Sequence, residues 1–541
     1  MAPSDGSFTD VVRRTAPVPA WGAWAVDGDV LLARALLGAF VLIPLAWACG
    51  FLWPPINHDV AANLDMARRW LAGERLYRDV IDVNTPLVFL VYAVPEGLAR
   101  LFGGSGAIWM VACVIAGVTA SSIVSHRILR RLFAGEQSVG LVLLSLLAPF
   151  LLVVLPPDNS FGQREHLMTI LALPYVFAAV ARADGRPLPA GLLLAVGVAA
   201  GIGFSLKPHF VAIPILVEGY VLTRRSLRVG LADPLPWGIA AAVTGHVLFA
   251  LTITPDYVTF VLPFVFKYYT QIGGSGAVEV LTGRYILPSL LACAFAALLA
   301  PAVLRPRVAP IAALFAFGAA LAAVAQGKGW AYQSYPVMAM AAVAMAATVA
   351  GLVDRHVPLS GRAGHRAAVF IASAVLGLFY VQDALMDQPF RKQQQYVGSP
   401  LQQLTQAVQK NATNGRVLVM SPGIFPHYPM INYAGVEMVM PFQTMWPLQG
   451  IYANCLPGGH LYNEPAEMSE GERFVFESIA GAFATKQPAL LIVDRVPGIP
   501  RCRTEVFSYL EYFLRHPDFA AAFENYEPFI EKERYVVYKR N

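Results

Sequence analysis

Apolar runs long enough to fill a bilayer recur along the chain up to about Leu385, broken by short polar loops, and then stop. A helix needs about 20 mostly apolar residues to cross a bilayer core. The pattern predicts spans near Val30–Trp53, Ala107–Ser125, Val139–Leu155, His166–Ala181, Ala190–Leu206, His209–Leu222, Pro236–Ile253, Tyr285–Leu304, Val308–Ala325, Tyr332–Leu352 and Ala367–Leu385. Another apolar stretch, Pro86–Phe102, is read as a helix lying in the membrane interface. From Pro389 onward the pattern changes. "RVLVMSP" and "ALLIVDR" are short apolar runs that suit buried strands, and "YEPFIEKERYVVYKR" reads as two closing strands. "EGERFVFESIAGAFATKQ" and "TEVFSYLEYFLRHPDFAAAFENY" space their apolar residues as helices do. The expected fold is a polytopic α-helical membrane protein of about 11 transmembrane helices over residues 1–389, with interfacial helices in a first outer loop at 53–106. A mixed α/β soluble domain follows over 390–541.

Composition agrees with this division. Of 541 residues, 56% are apolar and 14% charged, with a mean hydropathy of +0.53. Soluble domains carry roughly 25% charged residues, so an ordinary soluble enzyme is excluded. Five cysteines exclude a disulfide scaffold. The net charge of +5 is modest and no basic patch is interleaved with aromatics, so no nucleic-acid partner is expected.

Charge placement sets the orientation. Lys and Arg collect in cytoplasmic loops. With eleven spans, Arg13-Arg14, Arg127/Arg130/Arg131, Arg182/Arg186, Arg224/Arg225/Arg228, Arg305/Arg307 and Arg355/Arg362/Arg366 all fall on the side of the N-terminus. A crossing by Pro86–Phe102 would split them. The expectation is a multi-pass protein of a bacterial inner membrane, with its N-terminus cytoplasmic and its C-terminal domain periplasmic. The first 29 residues lack a signal-peptide apolar core, so the first span is expected to be an uncleaved anchor. The inner loops read as short and carrying little beyond arginine.

The first outer loop opens with Asp59 directly after a span. An acid at a bilayer surface followed by an amphipathic helix suits a base facing a lipid headgroup. Asp is also a favoured N-cap residue, and spacing leaves both readings open. The motif order is "NHDVAANLDMARRWLAGERLYRDVIDVNTPL", then "ARLFGGSG", then a basic "HRILRRLFAG" inside. This order resembles the C-type (GT-C) glycosyltransferases, which include protein mannosyltransferases and lipid A aminoarabinose transferases. The resemblance implies an inverting membrane glycosyltransferase that takes a sugar from a polyprenyl phosphate. It implies that Asp59 is the catalytic carboxylate. Many such enzymes carry a basic residue just before the proline of the second interfacial helix. Here Asn84-Thr85 stands there, so other cations are needed for the phosphate.

Candidates for that role lie at or near the outer face: Arg164, Lys207, Lys267, Arg284 and Lys328. Ionisable residues at membrane depth are functional hypotheses by default, and a leaving phosphate needs positive charge. Lys207 in "FSLKPHF" also fits a snorkelling lysine. Arg164-Glu165-His166 also fits a surface pair with helix capping. His58, His166 and His209 are candidates to orient or bind phosphate. Tyr269 and Tyr332 are candidates to stack on sugar, or members of an interfacial aromatic belt. Asp158 is the alternative or supporting carboxylate. His58, Asp59, Asp158, Glu165 and His166 have ligand types for a divalent cation, but their spacing matches no metal motif; no cofactor is called for. Walker A, HExxH, GxSxG and dinucleotide GxGxxG patterns are absent.

The expected partners are a polyprenyl-phosphate-linked sugar, membrane lipids, and a glycan, lipid or protein acceptor of the cell envelope. Two other readings stand beside this: an envelope polysaccharide polymerase or ligase, and a lipid or sugar transporter. The absence of internal repeats and the clustering of polar residues at one face argue against the transporter. Cys455 and Cys502 are both expected outside, in an oxidising compartment, and so to form a disulfide. Cys49, Cys113 and Cys293 lie in spans as packing residues. The soluble domain suits either an acceptor grip or a stabilising lid.

Overall fold

The computed structural model describes residues 38, 42–134, 138–155, 160–303, 306–356, 389–531 and 534–541. The expected span Ala367–Leu385, the first part of Val30–Trp53, and Asp158 lie outside the described residues. Nine apolar runs predicted as spans form helices in the described part. Five helical stretches there are long and apolar enough to cross a membrane: Gly106–Leu132, Arg164–Ala183, Pro234–Thr252, Val308–Gln326 and Ala331–Arg355. Shorter apolar helices lie among them.

Two helices occupy the first loop, α1 (His58–Leu71) and α2 (Pro86–Phe102). The bundle follows as α3 (Gly106–Leu132), α4 (Val139–Val153), α5 (Arg164–Ala183), α6 (Ala190–Ser205), α7 (Ala212–Thr223) and α8 (Pro234–Thr252). After α9 (Leu262–Tyr268) come α10 (Ile286–Val303), α11 (Val308–Gln326) and α12 (Tyr335–His356). Helix α3 runs about two turns past its expected end, because Arg130 and Arg131 suit a helix C-terminus. Helices α6 and α8 pack closely through glycine. A Cβ at Gly197 would collide with the Leu235 carbonyl, and one at Gly238 would come within 2.7 Å of the Leu194 carbonyl. Small residues permit such backbone approach between apolar helices.

The arginine-rich ends of the bundle also hold acids, contrary to the expectation of loops with little beyond arginine. Arg182 pairs with Glu218 at 2.7 Å and Asp233 at 2.5 Å, and Arg225 reaches the same Asp233 at 2.5 Å. Arg307 pairs with Asp184 at 2.7 Å. Buried charge must be paired, so these arginines fasten helix ends together.

The C-terminal part carries a five-stranded sheet of order β2-β1-β3-β5-β4. Strands β1 (Arg416–Met420), β2 (Glu437–Met438) and β3 (Leu490–Asp494) run parallel, and β4 (Tyr526–Glu531) and β5 (Tyr535–Arg540) complete it antiparallel. Cys455 and Cys502 form a disulfide with Cα atoms 5.4 Å apart. The apolar core of this part is shared. Ala61, Met66, Tyr77 and Phe89 of the first loop, and Phe264 of α9, belong to the same cluster as Val419, Phe442 and Trp446. Arg69 is buried and donates to the Met440 carbonyl at 3.0 Å, while Tyr428 donates to Asp65 at 3.0 Å. The charged face of α1 therefore meets the C-terminal domain.

Candidate active site

Helix α1 begins with a cap that is not Asp59. The Asn57 side-chain oxygen accepts from the backbone N–H of Asp59 at 2.9 Å and of Val60 at 3.1 Å. That satisfies donors left over at a helix start and leaves the Asp59 carboxylate unused by the cap. Its side chain is 12% exposed. Oδ2 accepts from Gln163 Nε2 at 2.7 Å, and the same nitrogen reaches Asn57 Oδ1 at 3.0 Å. Oδ1 lies 3.7 Å from His58 Nε2. Its two oxygens thus face different neighbours.

Helix α5 brings a cation within electrostatic reach. Arg164 is its first residue and is buried, and its guanidinium donates to Asn84 Oδ1. Asn84 directly precedes Thr85, the position where the motif lacks a basic residue. An arginine distant in sequence thus delivers positive charge to that place. Tyr77 donates to the Asn84 carbonyl at 2.7 Å, and Asp82 accepts from the Asn84 N–H at 2.8 Å. Burial raises the Asp82 carboxyl above its usual range, against the lowering effect of that N–H and of Arg164. Arg164 lies close enough to Asp59, Asp82, Tyr269 and Tyr332 to act on each electrostatically.

Lys207 comes from the turn between α6 and the short helix at Pro208–Val211. Its ammonium donates to Glu165 at 2.6 Å and to Gln326 Oε1 at 2.7 Å, 5.0 Å from the Tyr332 ring centre. Gln333 donates to the same Gln326 oxygen at 3.0 Å. Burial pushes Lys207 down to about 8, with Glu165 opposing the shift. Around this cluster several buried polar atoms have no partner among the described residues: Thr85 Oγ1, Gln163 Oε1, Arg164 Nε, Glu165 Oε2 and the Tyr332 hydroxyl. Native structures leave few such atoms, and five of them together mark a polar site.

The other candidates spread out. His166 is fully buried; its Nδ1 accepts from the Gly162 N–H at 2.9 Å and its Nε2 faces the Leu152 carbonyl at 2.6 Å. Both ring nitrogens are thus committed to backbone, which suits holding the 160–163 turn in place. His209 is exposed beside Lys207. Lys328 lies 4.7 Å from the Tyr269 ring centre and donates to the Ile272 carbonyl, fixing the segment that presents Tyr269. Lys267 and Arg284 are exposed and lie over the rings next to them, Tyr268 and Tyr285. Among the described residues no group of three His, Cys, Asp or Glu side chains converges on a metal position. The residues that sequence reasoning missed are amides: Asn57, Gln163, Gln326 and Gln333. Only the adjacency of Gln163 to Arg164 pointed toward any of them.

Residues 85–253 match the family model described as dolichyl-phosphate-mannose-protein mannosyltransferase. This segment contains Arg164 and Lys207. No curated protein matches the chain. Among solved structures, the fold is similar to ArnT from Cupriavidus metallidurans bound to undecaprenyl phosphate, with a TM-score of 0.56 at 15% identity, covering 95% of this chain and 98% of that one. The apo state of the same ArnT gives a TM-score of 0.53 at 14% identity, over 94% and 98%. The segment match, over residues 85–253, and the fold shared along both chains are what this protein has in common with the C-type (GT-C) glycosyltransferases it resembles.

Proposed function

We propose that the chain transfers a sugar, with inversion, from a polyprenyl-phosphate donor to a hydroxyl of an envelope acceptor at the outer face of the bacterial inner membrane. In this reading residues 1–389 form the catalytic membrane domain, with the N-terminus cytoplasmic, and 390–541 lie in the periplasm. One observation carries the reading: a nearly buried carboxylate, Asp59, is held by Gln163 and lies within electrostatic reach of the buried Arg164, and both of these residues keep a buried polar atom without a partner among the described residues, Gln163 Oε1 and Arg164 Nε. The undecaprenyl phosphate in the similar ArnT structure supports the donor class.

The chemistry needs little more. The acceptor O–H bond breaks, and its oxygen bonds to the anomeric carbon. The bond from that carbon to the phosphate oxygen breaks with the electron pair leaving on phosphate. Asp59 takes the proton, and Arg164 and Lys207 stabilise the charge that gathers on the phosphate. A retaining route would need a second carboxylate about 5–5.5 Å from Asp59 to act through a covalent intermediate.

The test is transfer by purified protein from radiolabelled polyprenyl-phosphate sugars to envelope fractions, with the anomeric configuration of the product read by NMR. Asp59→Asn is expected to lose about 10²–10⁴-fold in rate, the range for removing a general base, and to keep its affinity for polyprenyl phosphate. Unimpaired transfer by that variant would overturn the base assignment, and a retained anomer would overturn inversion.

A further inference from the structure

Among the contacts between the C-terminal domain and the first loop, one lies beside Asp59. The connection after β1 runs from Ser421 to helix α13 (His427–Ala434), along the C-terminal edge of the parallel strands. Ligands of open α/β sheets bind at such edges. Phe425, in this connection, is 53% exposed and stands edge-on to His58 with ring centres 6.4 Å apart. His58 Nε2 is 3.7 Å from Asp59 Oδ1. An exposed aromatic ring of the C-terminal domain is therefore one residue removed from the carboxylate.

His427 lies behind it, 2% exposed. Its Nε2 is 3.0 Å from the Gln443 carbonyl. A carbonyl only accepts, so Nε2 carries the proton and Nδ1 presents a lone pair. That Nδ1 is buried and has no partner among the described residues. His427 and His58 are near enough to act on one another electrostatically. Leaving such an atom unpaired costs about 1–3 kcal/mol, which argues that something donates to it in the working protein. Burial pushes the imidazole down to about 4, so it stays a neutral acceptor at ordinary pH.

The two sides of Asp59 then differ in chemistry. Oδ2 points to Gln163, next to the cation Arg164, and Oδ1 points to His58 and the C-terminal domain. An inverting transfer brings the nucleophile in opposite the leaving group. We propose that Phe425 and His427 form the acceptor subsite, and that its ligand is a neutral pyranose. The sugar lays a C–H face on the Phe425 ring and donates one hydroxyl to His427 Nδ1. A phosphate or carboxylate would meet a lone pair there and be turned away. This proposal names the acceptor class within the function proposed above and rests on Asp59 being the base.

The probes are the methyl glycosides of glucose, galactose and mannose, tested on the full-length protein in detergent by saturation-transfer NMR. Ring C–H protons are expected to receive saturation from wild type and from Asp59→Asn. In Phe425→Ala the affinity is expected to fall about tenfold, the upper end of what one aromatic contact supplies, and Phe425→Trp restores it. Polyprenyl-phosphate affinity stays unchanged in Phe425→Ala, which separates the subsite from the donor site. Binding of the glycosides to Asp59→Asn, with transfer unimpaired in that variant, would remove the base and leave the subsite standing. Equal glycoside binding by Phe425→Ala, no glycoside binding at all, or Phe425-dependent binding of a serine tripeptide in place of the sugars would each overturn the proposal.

Discussion

The Glu165–Lys207 pair permits a prediction that ordinary ion-pair reasoning gets wrong. Both side chains are buried, and removing one partner of a buried pair usually costs about 3–5 kcal/mol, because the other charge is stranded. Lys207 has an escape. Its ammonium titrates near 8, only about one unit above neutral pH, and one unit is worth about 1.4 kcal/mol. In Glu165→Gln at pH 7, Lys207 sheds its proton instead of staying charged and unpaired, so the loss of stability stops at about 1.4 kcal/mol. The loss of function does not stop there. A neutral amine no longer attracts a phosphate, and losing a hydrogen bond to a charged group weakens polyprenyl-phosphate binding by about 1.5–3 kcal/mol, roughly 10–150-fold. The pH dependence carries the signature. Between the variant's lowered lysine pKa and about 8, wild type is protonated at Lys207 when folded and the variant is not, while both unfolded chains are protonated. The variant alone then gains stability as pH rises. Its deficit is expected to widen by about 1.4 kcal/mol per unit as pH falls below 8 and to close above it. Thermal unfolding in detergent from pH 5.5 to 8.5, with polyprenyl-phosphate binding measured at each pH, tests this. A deficit independent of pH, or unchanged lipid binding at pH 7, refutes the reasoning.

Other consequences follow from single contacts. Asn84→Asp is expected to convert the Asn84–Arg164 hydrogen bond into an ion pair, so polyprenyl-phosphate affinity falls about 10–150-fold while the protein remains folded; an affinity equal to wild type would argue that Arg164 does not meet the phosphate. Gly197→Val is expected to push α6 from α8 and cost about 1–3 kcal/mol in thermal stability. Gly191→Val, at a position with nothing within 4 Å, is the control, and equal melting of the two would refute the close approach. Cys502→Ser opens a disulfide that closes 47 residues, worth about 4 kcal/mol by loop entropy. Its melting should match that of reduced wild type, and a Tm equal to oxidised wild type sinks that account.

Much of the fold was legible because apolar periodicity records it directly. The run Pro86–Phe102 forms a helix with those same bounds, and the closing segment folds as the β4–β5 pair. The two-residue strand β2 was not legible, since Glu437–Met438 is too short to show alternation. Nor was the pairing of Arg182 with Glu218 and Asp233. The positive-charge rule counts arginines whether or not an acid sits beside them, so the pattern that suggested a side concealed the partner. In the site, Asp59, Arg164 and Lys207 stood out because charge is rare in apolar sequence. Asn57, Gln163 and Gln326 did not, because an amide carries neither charge nor periodicity. The seating of α1 and α9 against the C-terminal domain depends on contacts hundreds of residues apart, as between Asp65 and Tyr428, and no local pattern encodes them.

The amides explain how opposite charges coexist in one site without cancelling. Direct pairing of Asp59 with Arg164 would consume the proposed base and the proposed phosphate ligand together, since a charge-assisted carboxylate–guanidinium fork is among the strongest contacts a side chain makes. Here an amide stands at each charge instead. Gln163 donates to Asp59, Asn84 accepts from Arg164, and Gln326 accepts from Lys207. An amide fixes direction with one atom and adds no net charge, so the carboxylate and the guanidinium keep their fields for the substrate. Lys207 alone is paired directly, with Glu165, and it is also the cation that burial brings near neutrality. It needs the acid to stay charged at all. Arg164 needs none, because a guanidinium stays protonated at any ordinary pH. The choice of arginine with an amide in one place, and lysine with a carboxylate in the other, follows from what each cation requires in order to remain one when buried.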